Sequence, residues 1–346
     1  MQQFAAAGAS PNAFTSYAIT AYYFDCTESF EDNLRLLLQF VSTPYFTQES
    51  VDKERGIIAQ EIRMYEDSPS SRVYEELFAA MYRSHPVRIP IAGTEASIAQ
   101  ITPQTLEHCH RAFYVPSNMC LCVAGDVDPE QVIRLAEKLL PSGQAPVAER
   151  DYGGEEPLDC GGLRTRRQME VSMPTFMLGF KCPPAKPGPE TLRRELIGDL
   201  AAELLMGEAS PLYARLYAQG LIDTSFTVGY ESMRGVALLV ASGDSRDPEA
   251  VSAAILDEAA RLCRDGADEA LFQRLKRSAF GRRLRSLDSF ESSCFRQCAY
   301  FFDGAEYLTF PEVYESLTIE DALRFLQENA TVQRSGMSVI EPLKEA

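Results

Sequence analysis

Residues 51–65, Val-Asp-Lys-Glu-Arg-Gly-Ile-Ile-Ala-Gln-Glu-Ile-Arg-Met-Tyr, place two glutamates where a helix should be apolar. Wound at roughly 100° per residue, Val51, Ile57, Ile58, Ile62, Met64 and Tyr65 fall on one side. Asp52, Lys53, Arg55, Gln60 and Arg63 fall on the other. Glu54 and Glu61 land within the apolar arc, two turns apart and nearly superimposed. Carboxylates on a core-facing stripe are unfavourable unless they are paired, protonated or bound to a metal. From the helix alone a structural ion pair with Arg or Lys is the plainer reading, and metal ligation is the other.

The chain of 346 residues is long enough for about two domains, and its 45 % apolar content supports a large core. Acidic residues outnumber basic ones by 50 to 33, a formal charge of −17, which argues against nucleic acid or an anionic membrane as partner. Nine cysteines are scattered without a C-x-x-C pair, and Cys120 and Cys122 alternate on an apolar stretch. That usage suits small buried hydrophobes in a reducing compartment, and a cytoplasmic location is expected. The first basic residue is Arg35, so a secretory leader is not expected within this stretch. Apolar runs such as 235–241 are too short to span a bilayer.

Periodicity and punctuation predict two short strands within 11–25 and helices over 28–41, 49–66, 72–82 and 103–113. A buried strand is expected at 118–124, followed by a helix with Pro129 in its first turn. Residues 141–162 are rich in Pro and Gly and read as an interdomain linker. The second half predicts a strand over 169–180, a hairpin over 224–242, several helices and a closing strand at 335–340. The halves echo each other in element order, and the second copy lacks the acidic pair.

The stretch Glu54-Arg55-Gly56-Ile57-Ile58-Ala59-Gln60-Glu61-Ile62-Arg63-Met64-Tyr65-Glu66-Asp67 resembles the second zinc helix of the insulinase/pitrilysin-type peptidases. Asn12-Ala13-Phe14-Thr15, His85-Pro86 with Gly93-Thr94, and Tyr114-Val115-Pro116-Ser117-Asn118-Met119 leading to Ala124-Gly125-Asp126-Val127 agree in order and spacing. Ser210-Pro211-Leu212-Tyr213-Ala214-Arg215-Leu216-Tyr217 fits the family's second domain. The resemblance implies that Glu61 is the distal zinc ligand and that Glu54 supports ligand geometry from behind the site. It implies that Asn12, Ala13 and Phe14 form an edge strand to which a peptide substrate adds as a further strand.

Two departures stand out. The family's H-x-x-E-H motif, which supplies two histidine ligands and the general base, occurs nowhere in the 346 residues. The three histidines, His85, His108 and His110, lie in a loop and on a helix without metal-ligand spacing. The family's Arg and Tyr that grip the substrate backbone are also replaced, by Tyr217 and Thr224. This pattern is similar to the zinc-bearing subunit of two-chain bacterial members, which implies a homologous partner subunit.

The expected fold is α+β: two similar domains, each a mostly antiparallel sheet with helices packed on one face. The expected boundaries are 1–145 for a first domain carrying the second zinc helix but lacking N-terminal strands, 146–162 for a linker, and 163–346 for a second domain without metal. The function the resemblance implies is that of a zinc metalloendopeptidase acting on peptides or small unfolded proteins. Zn2+ is then the cofactor of the complete protein, and this chain by itself is expected to bind none and to be inactive. The alternative is a non-catalytic scaffold or peptide-binding subunit.

Overall fold

A computed structural model describes residues 2–140 and 146–343. Residues 141–145, the start of the expected linker, lie outside the described residues. The chain opens with α1 (Gln2–Ala6) and a hairpin, β1 (Ala9–Thr15) and β2 (Thr20–Cys26). Helices α2 (Phe30–Ser42), α3 (Gln48–Glu66), α4 (Pro69–Met81), α5 (Glu95–Ile98), α6 (Pro103–Phe113) and α7 (Pro129–Leu139) follow. Then come β3 (Leu163–Met169), β4 (Thr175–Lys181), α8 (Glu190–Met206), α9 (Pro211–Ala218), β5 (Thr227–Met233) and β6 (Val236–Asp244). The chain closes with α10 (Pro248–Asp265), α11 (Glu269–Ser286), α12 (Phe290–Phe302), α13 (Phe310–Ser316), α14 (Ile319–Asn329) and β7 (Ser335–Pro342).

Proline after a capping side chain sets many helix starts. Ser68 before Pro69, Thr102 before Pro103, Asp128 before Pro129, Ser210 before Pro211 and Asp247 before Pro248 each accept a backbone N–H from the first turn. The Ser68-Pro69 pair therefore starts α4 as well as ending α3, which is why α4 begins earlier than the apolar period suggests.

The residues divide into two compact units that are not simple halves of the chain. One comprises residues 1–62, 91–151 and 286–302. It contains the β1–β2 hairpin, antiparallel with Asn12 opposite Tyr23. Leu34 and Leu38 of α2 meet Leu135 of α7, with Phe24 and Phe30 against them. The expected strand at 118–124 is absent from any ladder and half-exposed, because it has no strand partner among the described residues.

The other unit comprises residues 63–90, 152–285 and 303–346. Its sheet runs β3-β7-β4-β6-β5, antiparallel except for the parallel pair β3 and β7. The architecture is thus α+β with a mostly antiparallel sheet. The single strand expected over 169–180 is two strands, β3 and β4, broken around Pro174. Strand β4 is buried along nearly its whole length, as is β6 over its first six residues, which requires cover on both faces. Helix α8 lies against β5 and β6, with Gly198 flat on the Tyr230 ring. Helix α4 covers the opposite face, where the facing glycines Gly179 and Gly336 leave room for Leu77 and Met81.

Candidate functional site

Helix α3 carries Glu54 and Glu61, and the structure corrects the expectation that both face inward. Its buried residues are Val51 and Ile62, with Arg55, Ile58 and Ala59 half-buried beside them. The centre of this arc lies about 85–105° around the helix from the glutamates. Glu54 and Glu61 are both exposed. On the same side, Ile57 is 49 %, Met64 60 % and Tyr65 37 % exposed. The period of the sequence was right for a helix, but only one margin of the apolar arc is packed. Exposed carboxylates need no counter-ion to be tolerated, so burial gives no argument for a metal here.

The other implied site residues lie on β1. Asn12 and Ala13 are exposed and Phe14 is half-buried. Strand β1 pairs only with β2, so its outer edge has no strand neighbour among the described residues. The Asn12 side-chain oxygen accepts the Ala13 N–H at 2.9 Å. The Phe14 ring meets Phe295 of α12 edge-on at 5.3 Å. Glu54, Glu61 and the Asn12–Phe14 segment fall in the same compact unit.

The three histidines have local work. His85 is buried; its Nδ1 accepts the Val87 N–H at 3.1 Å and its Nε2 lies 3.1 Å from the Arg234 carbonyl. Those partners fix the neutral tautomer with the proton on Nε2, and burial lowers its pKa. His110 Nε2 bonds the Val41 carbonyl at 2.8 Å and its ring stacks on Tyr114. His108 is exposed on α6. Among the described residues no group of three or more His, Cys, Asp or Glu is arranged to hold a metal ion. A catalytic zinc takes three protein ligands, so the donors present here do not make that site, and no hydrolytic step is derived from them. Tyr217 stacks on Tyr213, and Arg215 pairs with Glu258 at 3.4 Å.

Sequence reasoning missed the most densely bonded carboxylate, Glu156, within the stretch read as a linker. It accepts the N–H groups of Arg83, Ser84 and His85 and the Ser84 hydroxyl, and pairs with Lys181 Nζ at 2.9 Å. Lys181 is only 2 % exposed, also bonds the Met81 carbonyl at 2.8 Å, and lies over the Tyr82 ring. Burial opposes ionisation of Glu156, but the backbone donors and the ammonium outweigh it and hold the carboxyl well below the usual range. The acid at this position was visible in sequence; its partners, about seventy and twenty-five residues away, were not.

The fold places the chain among α+β proteins built on a mostly antiparallel sheet, with acids exposed on α3 and a strand edge open on β1 among the described residues. The model for "Insulinase (Peptidase family M16)" matches residues 1–95, and that for "Peptidase M16 inactive domain" matches residues 100–279. The chain is 36 % identical over 350 residues to YmfH, an uncharacterized zinc protease of Bacillus subtilis, covering 99 % of this chain and 80 % of that protein. An M16-like peptidase from Alicyclobacillus acidocaldarius superimposes with a TM-score of 0.92 at 33 % identity, covering 99 % of this chain and 82 % of that one. A protease from Helicobacter pylori shares the fold, with a TM-score of 0.87 at 19 % identity over 99 % of this chain and 83 % of that one. The chain belongs to the insulinase family of M16 peptidases, whose solved members have two similar α+β domains. Among the described residues no helix is long and apolar enough to cross a membrane.

Proposed function

We propose that residues 1–346 contribute one part of an M16 zinc endopeptidase that acts on peptides or small unfolded proteins. In this reading Glu61 is the distal metal ligand, Glu54 orients the site, and the Asn12–Phe14 edge receives the substrate as an added strand. The histidine ligands and general base come from residues outside this stretch. The observation that carries the reading is the face of α3, where Glu54 and Glu61 share one exposed side with Ile57, in a chain whose relatives include zinc proteases. A homologous subunit supplies the substrate grip that Tyr217 and Thr224 replace, and the protein works in the cytoplasm. A second reading, a non-catalytic peptide-binding subunit, is favoured by the structural roles of His85 and His110.

The test compares residues 1–346 with the full native reading frame. Residues 1–346 alone should show no stoichiometric zinc and no cleavage of an unstructured peptide. The native polypeptide should bind one zinc per chain and cleave, and Glu61→Gln should abolish both. A native polypeptide without any H-x-x-E-H motif, or tight zinc binding by residues 1–346 alone, would overturn the assignment.

A further inference from the structure

Four of the nine cysteines meet in one place. Cys120 and Cys122 lie on the unpaired stretch before α7, and Cys294 and Cys298 lie one turn apart on α12. All four belong to the same compact unit and are half-buried. The sulfur of Cys298 lies 3.9 Å from the Cys120 carbonyl, and its thiol is near enough to that of Cys120 to interact with it. The thiol of Cys294, one turn earlier on the same helix, is near enough to that of Cys122 to interact with it. The contacts form two rungs running in opposite chain directions.

The spacing explains why both rungs can exist. Two residues of extended chain advance about 6.6 Å. Four residues of helix advance about 6 Å and return to nearly the same face. A C-x-C stretch laid antiparallel to a C-x-x-x-C helix face therefore brings both pairs into register at once.

We propose that Cys120–Cys298 and Cys122–Cys294 are a two-rung thiol clasp that closes into two disulfides under oxidising conditions. The oxidant is a low-molecular-weight disulfide of the glutathione class. One cysteine loses its proton and attacks a sulfur of that disulfide, forming a mixed disulfide and releasing one thiol. The facing cysteine then attacks the protein-side sulfur, closes the protein disulfide and releases the second thiol. Each rung gives up two electrons, the reagent disulfide is reduced to two thiols, and the two protein protons leave with them. Burial, with the neighbouring sulfurs adding to it, pushes the Cys294 thiol up to about 12 and raises Cys298 as well.

Closing it ties the unpaired 119–124 stretch to α12. That helix already meets the hairpin through Phe295 on Phe14. The inference is independent of the peptidase reading, since it needs neither zinc nor a substrate.

The purified chain would be equilibrated against a series of reduced-to-oxidised glutathione ratios, trapped by alkylation, digested and mapped by mass spectrometry. The expected products are linked peptides joining Cys120 to Cys298 and Cys122 to Cys294, retained when exposed Cys109 and Cys263 are both changed to Ser. Cys298→Ser should lose the first link and keep the second, and Cys294→Ser should do the reverse. Four thiols that stay alkylatable in excess oxidised glutathione would overturn the proposal. So would a dominant Cys120–Cys122 link, or links that vanish in the Cys109→Ser/Cys263→Ser chain.

Discussion

Glu156→Ala should be among the most damaging single substitutions in the protein, although its residue lies in a Pro/Gly-rich stretch with little regular structure. Removing the carboxylate leaves the nearly fully buried Lys181 against the Met81 carbonyl and the Tyr82 face without its counter-ion. Breaking a buried ion pair from one side costs about 3–5 kcal/mol, because the surviving charge is uncompensated. The Arg83 and Ser84 N–H groups are near solvent and can rehydrate, so the lower end, about 3 kcal/mol, is expected. The double variant Glu156→Ala/Lys181→Met removes both charges and should recover about 2 kcal/mol or more of that loss. Urea unfolding followed by helical circular dichroism gives both values. The folded Glu156 pKa is depressed, so its contribution is present above the ordinary glutamate pKa, about 4.3, and is lost as pH falls through the folded value. The gap between wild type and Glu156→Ala should therefore be widest near neutrality and narrow below about pH 4.3. A Glu156→Ala loss under about 1 kcal/mol, or a double variant as unstable as the single one, would refute the buried-pair reasoning.

Two further contrasts test packing. Gly198→Ala should destabilise despite a helix-propensity gain of about 1 kcal/mol, because its Cβ would sit 2.5 Å from the Tyr230 ring, where overpacking costs about 1–3 kcal/mol; Gly281→Ala on α11, with nothing within 4 Å of the added carbon, should stabilise by up to about 1 kcal/mol. Ile62→Ala should cost about 2–5 kcal/mol, whereas Ile57→Ala should stay within about 0.5 kcal/mol in residues 1–346, and equal losses in urea would show that the face of α3 is misassigned.

What could be read from sequence was whatever is written locally. The helix over 49–66 and the hairpin over 224–242 follow from period and punctuation, and Asp128-Pro129 marks the start of α7. What could not be read was which part of an apolar arc is covered. Ile57 and Ile62 look alike in a helical projection, yet one is 49 % exposed and the other buried. Glu156 escaped for a related reason: its meaning lies in Lys181 and the Arg83–His85 backbone, not in its neighbours. The same holds for Cys120 and Cys122, whose partners are contributed by α12, far along the chain. Of the implied site, the acid spacing and the β1 edge were legible; the outward orientation of the acids was not.

That orientation constrains how the two glutamates can share a metal. Seven helical residues separate them by about 10.5 Å along the axis. Ligand oxygens sit about 2.0–2.2 Å from zinc, so one ion cannot take both side chains directly in ordinary rotamers. At most one of them can bind a given ion directly, which is the division of roles proposed above for Glu61 and Glu54. Exposure adds a second constraint. A glutamate side chain loses up to about 1.5–2 kcal/mol of rotamer freedom when it is fixed on a metal. One such ligand cannot meet that loss and also desolvate the cation. Under the proposed function, α3 would therefore complete a centre whose other donors are already in place and would not recruit a metal unaided.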